Sequence, residues 1–133
     1  MLYAMFALIL QTAIVGVLTL GARIGSVRSG AVSPRYFRLM QGDEPTGFVA
    51  QASRNYNNLF ETPTLFYAAG VLHIVMNVDN QIGLICAWVY VGSRIAHTVI
   101  HLTYNHVLHR LGAYLTGNLM IMALWLNLVI ASL

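Results

Sequence analysis

Arg94 sits near the middle of an apolar run from Ile82 to Tyr104, and no other residue restricts the possible folds as much. A run of that length spans a bilayer, so the guanidinium lies roughly 15 Å from either end at ~1.5 Å rise per residue. Charges at such depth are rare and costly, and they are usually functional. His97, Thr98 and His101 follow at i+3, i+4 and i+7, on the same helical stripe as Arg94. That stripe has to face protein or a water-filled cavity, because lipid offers it no hydrogen-bond partner.

The rest of the chain agrees with a membrane setting. Of its 133 residues 58% are hydrophobic and 8% charged, far below the roughly 25% charged residues of a soluble domain. The length allows one domain. The apolar start Met1–Ala22 lacks a basic leader and a small-residue cleavage site, so it reads as a retained transmembrane helix. The single cysteine, Cys86, excludes an internal disulfide and reads as a small buried hydrophobe. All seven basic residues are arginines, set against Asp43, Glu44, Glu61 and Asp79. In a membrane protein this excess speaks for orientation and for an anionic ligand or lipid, not for nucleic acid.

Four spans are expected, at about 2–22, 59–78, 82–104 and 108–133, forming an all-α, up-down-up-down four-helix bundle in one domain. The first connection, 23–54, is long and polar; the others are short. Arg23, Arg28, Arg35, Arg38, Arg54 and Arg110 all fall on one side of this arrangement, whereas Asp79 is the only charge on the other. The positive-inside rule therefore puts the first and third loops in the cytoplasm and both termini outside.

Polar groups then gather in the inner half of the membrane. Arg54, Asn57, Asn58 and Glu61 share a face if one helix runs through them, and Pro63 is expected to kink that helix. Glu61 and Arg94 are opposite charges on antiparallel neighbours, so a buried ion pair is expected. His97 and His101 have the spacing of two metal ligands. They read as hydrogen-bonding partners in a polar pocket, because no second carboxylate stands at ligand spacing. No metal is expected. Arg110 and Tyr114 put a fixed cation and a phenol on one face at the cytoplasmic start of the fourth span, with Asn118 one turn deeper. The outer halves are nearly dry, with His73, Trp125 and Asn127 as exceptions.

Asn58-Leu-Phe-Glu61-Thr-Pro63, Arg94-Ile-Ala-His97-Thr98 and the pair Arg110 and Tyr114 resemble the MAPEG family (membrane-associated proteins in eicosanoid and glutathione metabolism), in its bacterial-type branch. The resemblance covers nearly the whole chain. It implies a homotrimer in the bacterial inner membrane that takes glutathione as cosubstrate in the cytoplasmic half of the bundle. It also implies a pocket lined by Arg23, Asn58, Glu61, Arg94, His97 and His101. Arg110 and Tyr114 would be the catalytic pair there, with Arg110 activating the thiol. The chain departs from the family pattern at His101, where a tyrosine is common, at Leu111, where some members have serine, and at Asn57, where an arginine is common.

The residue types suit that ligand. Glutathione carries two carboxylates, an ammonium and a thiol, which arginines and a glutamate complement. A fixed cation near the sulfur favours the thiolate nucleophile. The expected activity is a glutathione transferase or peroxidase acting on a lipophilic electrophile. The alternative is a non-catalytic membrane protein of the same fold that binds a lipid, quinone or partner protein. The topology is directly testable: a cysteine probe at Ser29 should react with an impermeant reagent only from the cytoplasmic side. Labelling of that probe in intact cells would invert the orientation.

Overall fold

Pro63 determines where the second apolar segment breaks. Its ring has no N–H to donate and collides with the carbonyl four residues back, which kinks or breaks an α-helix running through 59–63. In the computed structural model, which describes residues 1–42, 44–78 and 80–133, the chain turns there instead. The N–H groups of Leu59, Phe60 and Glu61 each bond three residues back, to Tyr56, Asn57 and Asn58 at 3.1, 3.0 and 3.4 Å. Helix α3 (Gly47–Asn58) ends at this turn and α4 (Thr62–Val75) begins after it, with Pro63 in its first turn. The expected kink is thus a full interruption, and the expected 59–78 span is α4 alone, 14 residues long.

Helices α1 (Leu2–Arg28), α5 (Gln81–Leu102) and α6 (Val107–Ala131) are each long and apolar enough to cross a membrane. The described residues are 81% helical, with no strand. The polar connection between the first two expected spans is itself largely helical. α1 continues through Arg28, and a short α2 (Pro34–Leu39) is capped by Ser33, whose Oγ accepts from the Arg35 N–H. Asp43 and Asp79, read above as charges of the first and second loops, lie outside the described residues.

Pairwise contacts show that neighbouring elements alternate in direction. α1 runs against α3 and α4: Gly70 faces Met5, Gly16 faces Tyr56, and Thr19 Oγ1 donates to the Ala52 carbonyl at 3.2 Å. α4 meets the start of α5 through His73 and Gly83. α5 packs most extensively on α6, with Gly117 against Tyr90 and Ser93. α5 is the central element, burying Cys86, Ala87, Tyr90, Val91, Ser93, Arg94, His97, Thr98 and His101 along one side. Leu8, Phe66, Ala69, Ile121 and Leu124 complete the apolar core, where Phe66 stacks on Tyr90 with ring centroids 4.5 Å apart.

The burial pattern is inverted relative to a water-soluble protein. Phe6, Ile9, Leu10, Ile14, Val17 and Leu20 of α1 are exposed, whereas Gln11, Thr19, Asn55, Arg94, His97, Thr98 and His101 are buried. In lipid that arrangement suits both classes of side chain, since only protein can supply hydrogen-bond partners at that depth.

Gly117 tests the tightness of the α5–α6 contact. A Cβ there would meet Ser93 Oγ at 2.8 Å and Tyr90 Cε2 at 3.4 Å, whereas one at Gly112 would meet nothing within 4 Å. Gly117→Val should therefore cost about 1–3 kcal/mol through overpacking, and Gly112→Ala should be neutral or mildly stabilising. Unfolding of the two variants in mixed detergent micelles measures this difference, and equal stability would contradict the packing described here.

Candidate functional site

Helices α5 and α6 meet at a tight turn at the arginine-bearing end of the molecule, and that turn builds a site. His97 Nδ1 donates to the Arg110 carbonyl oxygen at 3.2 Å. Arg110 Nη1 donates to Asn105 Oδ1 at 2.9 Å and, over a longer 3.4 Å, to His101 Nε2. The His97 and His101 rings meet edge to face with centroids 5.8 Å apart, and the Tyr114 ring centroid lies 6.1 Å from that of His97. His97, His101, Arg110 and Tyr114, together with Asn58 and Arg54 of α3, line a cavity of about 390 Å³, with Val107 and Leu111 as its apolar wall.

Five of the residues expected in one pocket thus surround one cavity: Asn58, His97, His101, Arg110 and Tyr114. The other three stand apart from it. Arg94 is 1% exposed, and its Nη2 donates to Asn58 Oδ1 at 2.5 Å and to the Asn58 carbonyl at 3.3 Å. Glu61 is exposed at the helix break and accepts from Asn58 Nδ2 at 2.7 Å. Asn58 therefore stands between the two charges, and the expected direct Glu61–Arg94 ion pair does not form. The reason is the interruption at 59–61, which turns Glu61 off the face that an unbroken helix would have given it.

Arg23 lies elsewhere. Its Nε and Nη2 donate to Ser53 Oγ at 3.2 and 3.1 Å, and its guanidinium sits 5.5 Å from the centre of the Phe37 ring. It lines a second cavity, also of about 390 Å³, between α1, α2 and α3. Arg54 borders both cavities.

Behind the first cavity runs a buried polar network that only partly showed in the sequence. Gln11 Nε2 donates to the Arg94 carbonyl at 2.9 Å and to Thr98 Oγ1 at 2.8 Å, and Thr98 Oγ1 donates to Asn55 Oδ1 at 3.4 Å. It ties α1, α3 and α5 together at mid-depth. Gln11 is the lone carboxamide in its apolar helix, a signal that the search for charges and histidines passed over. At the opposite end His73 contacts Asn127 at 3.2 Å, Asn127 accepts from Asn80 at 3.0 Å, and Asn80 caps α5 through the Gly83 N–H. Among the described residues no three His, Cys, Asp or Glu side chains converge to hold a metal ion.

The family model described as MAPEG family matches residues 1–130. The chain belongs to the MAPEG family. A search of curated proteins finds none that matches. In this MAPEG protein the family match spans every residue of both cavities and of the network behind them.

The network gives Asn58 a measurable role. Asn58→Leu leaves the Arg94 cation without its side-chain acceptor and should cost about 2–3 kcal/mol, as for other hydrogen bonds to charged groups. Joining it to Arg94→Leu should recover most of that loss, because both partners are then apolar. Glu61→Gln, at an exposed site, should cost less than about 1 kcal/mol. Detergent unfolding of the four proteins tests the set, and a Glu61→Gln loss as large as that of Asn58→Leu would restore the direct pair.

Proposed function

We propose that this MAPEG protein is a membrane-bound glutathione transferase or peroxidase that acts on lipophilic electrophiles at the cytoplasmic end of a four-helix bundle. Members of the family generally use glutathione. The observation that carries the reading is the state of Arg110. Two acceptors engage its Nη1, while Nε and Nη2 have no hydrogen bond among the described residues, and the side chain borders the cavity. A guanidinium stays charged at any working pH, so it can hold a thiolate without surrendering a proton.

In this reading Arg110 stabilises the glutathione thiolate, and Tyr114 donates its phenol hydrogen to the same sulfur or to an anionic product. Arg54, Asn58, His97 and His101 supply the polar walls that orient the tripeptide. The thiolate then attacks an electrophilic carbon, forming the S–C bond as the leaving group departs with its electron pair. With a hydroperoxide it attacks the distal oxygen instead, releasing the alcohol, and a second glutathione reduces the sulfenic acid to give the disulfide and water. Exposed Val107, Leu108 and Leu111 at the start of α6 give a lipid-dissolved substrate an apolar approach to that end.

A homotrimer suits the positions of the arginines. Arg23 and Arg110 are both expected at one ligand, yet each lines its own cavity within one chain. Packing neighbouring copies side by side offers a way to bring the Arg23 of one to the Arg110 of the next.

The experiment is to add glutathione to purified protein in detergent and follow the thiolate ultraviolet band and turnover of aryl halides and lipid hydroperoxides. Wild type should show both. Arg110→Ala should lose the band and slow turnover on the order of a hundredfold or more, as when a key electrostatic donor is removed, with the fold intact. A wild-type protein with neither band nor turnover would favour a non-catalytic binding protein of the same fold.

A further inference from the structure

Asn105 has two distinct features. Its backbone is left-handed, with φ +48°, and its N–H returns to the Ile100 carbonyl at 2.8 Å to close α5. Asparagine is among the few non-glycine residues that tolerate this conformation, so the turn alone would account for its presence. The side chain does more than the turn requires. Its Oδ1 accepts from Arg110 Nη1 at 2.9 Å, the shortest hydrogen bond that guanidinium makes, with His101 Nε2 as a longer second acceptor on the same nitrogen.

We infer that Asn105 is a positioning residue: it draws Nη1 of Arg110 back toward the α5–α6 turn and thereby fixes the guanidinium with its free Nε and Nη2 edge available to the cavity. An arginine side chain has several rotatable bonds and large rotamer freedom, and a single long contact to His101 restrains it weakly. With the neutral amide as its near partner, the guanidinium is oriented but keeps its full charge. A carboxylate in the same place would orient it and neutralise it. The bearing on catalysis rests on the thiol-activating role proposed for Arg110; the restraint itself does not.

Glycine separates the two features, because Asn105→Gly suits the left-handed turn at least as well while removing the amide. The probe for the restraint is phenylglyoxal, whose paired carbonyl carbons are attacked by guanidine nitrogens, with modification of Arg110 in the intact, detergent-solubilised protein followed by peptide mass spectrometry. Asn105→Gly should raise the Arg110 rate several-fold, Asn105→Asp should return it to the wild-type rate, and the buried Arg94 should stay unreactive in all three. In the presence of glutathione, Asn105→Gly should also lower the thiolate fraction at neutral pH about tenfold, since a freed cation sits less often beside the sulfur.

An Arg110 rate unchanged in Asn105→Gly would overturn the inference, and so would accelerated modification of Arg94, which reports general opening of the bundle. An unchanged thiolate fraction in Asn105→Gly, with wild type forming the thiolate and the Arg110 modification rate raised, would leave the restraint standing and overturn its bearing on thiol activation. If wild type forms no thiolate, the glutathione reading fails, and the phenylglyoxal rates alone decide whether Asn105 holds Arg110.

Discussion

A guanidinium that is 1% exposed in the middle of a membrane-crossing helix obliges the neighbouring helices to supply acceptors, because lipid supplies none. Much of the architecture follows from that demand. Asn58 reaches Arg94 from the last turn of α3, and the Arg94 backbone carbonyl is held from the other side by Gln11 of α1. Two helices, α1 and α3, are thus pinned to α5 at one depth, and α6 is joined to it by the turn that carries Asn105. The site lies on the arginine-bearing side of this clamp. Its histidines and Arg110 are carried by helices that this clamp holds together.

The helix break at 59–61 is the second determinant. Without it, Glu61 would lie on the same face as Asn58 and could pair with Arg94 directly. With it, Asn58 becomes an intermediary that accepts from the cation and donates to the carboxylate. An asparagine does both at once, through opposite ends of one amide. The interruption also leaves Glu61 exposed and outside the Arg110 cavity.

The long elements were readable because their signals are summed over many residues. The apolar runs of α1, α5 and α6 are each longer than a bilayer needs, and the Arg94 stripe marked the buried side of α5. The resemblance resting on Asn58 to Pro63, Arg94 to Thr98 and Arg110 to Tyr114 named the family that the match over 1–130 shows. Finer features were hidden where one residue decides between two geometries. Pro63 was visible, but whether it bends or severs the helix depends on whether the turn before it can close its own hydrogen bonds. Gln11 carries no charge, so nothing in a list of ionisable groups pointed to it. The separation of Arg23 from Arg110 is a matter of tertiary distance, which helical periodicity cannot report. The contact of Asn105 with Arg110 needs the three-dimensional path of the turn, which the spacing of the two residues does not report.

Central to the proposed function is that the cavity beside Arg110, and not the one beside Arg23, would receive the sulfur of glutathione. An experimental structure of the protein with glutathione sulfonate, whose charged sulfur group stands in for the thiolate, tests it most directly. The account predicts that group within about 3–3.5 Å of the Arg110 guanidinium, the separation at which a reacting atom is usefully held, with His97 and Tyr114 beside it. The same group seated against Arg23 and Ser53, with the Arg110 cavity empty of ligand, would contradict it.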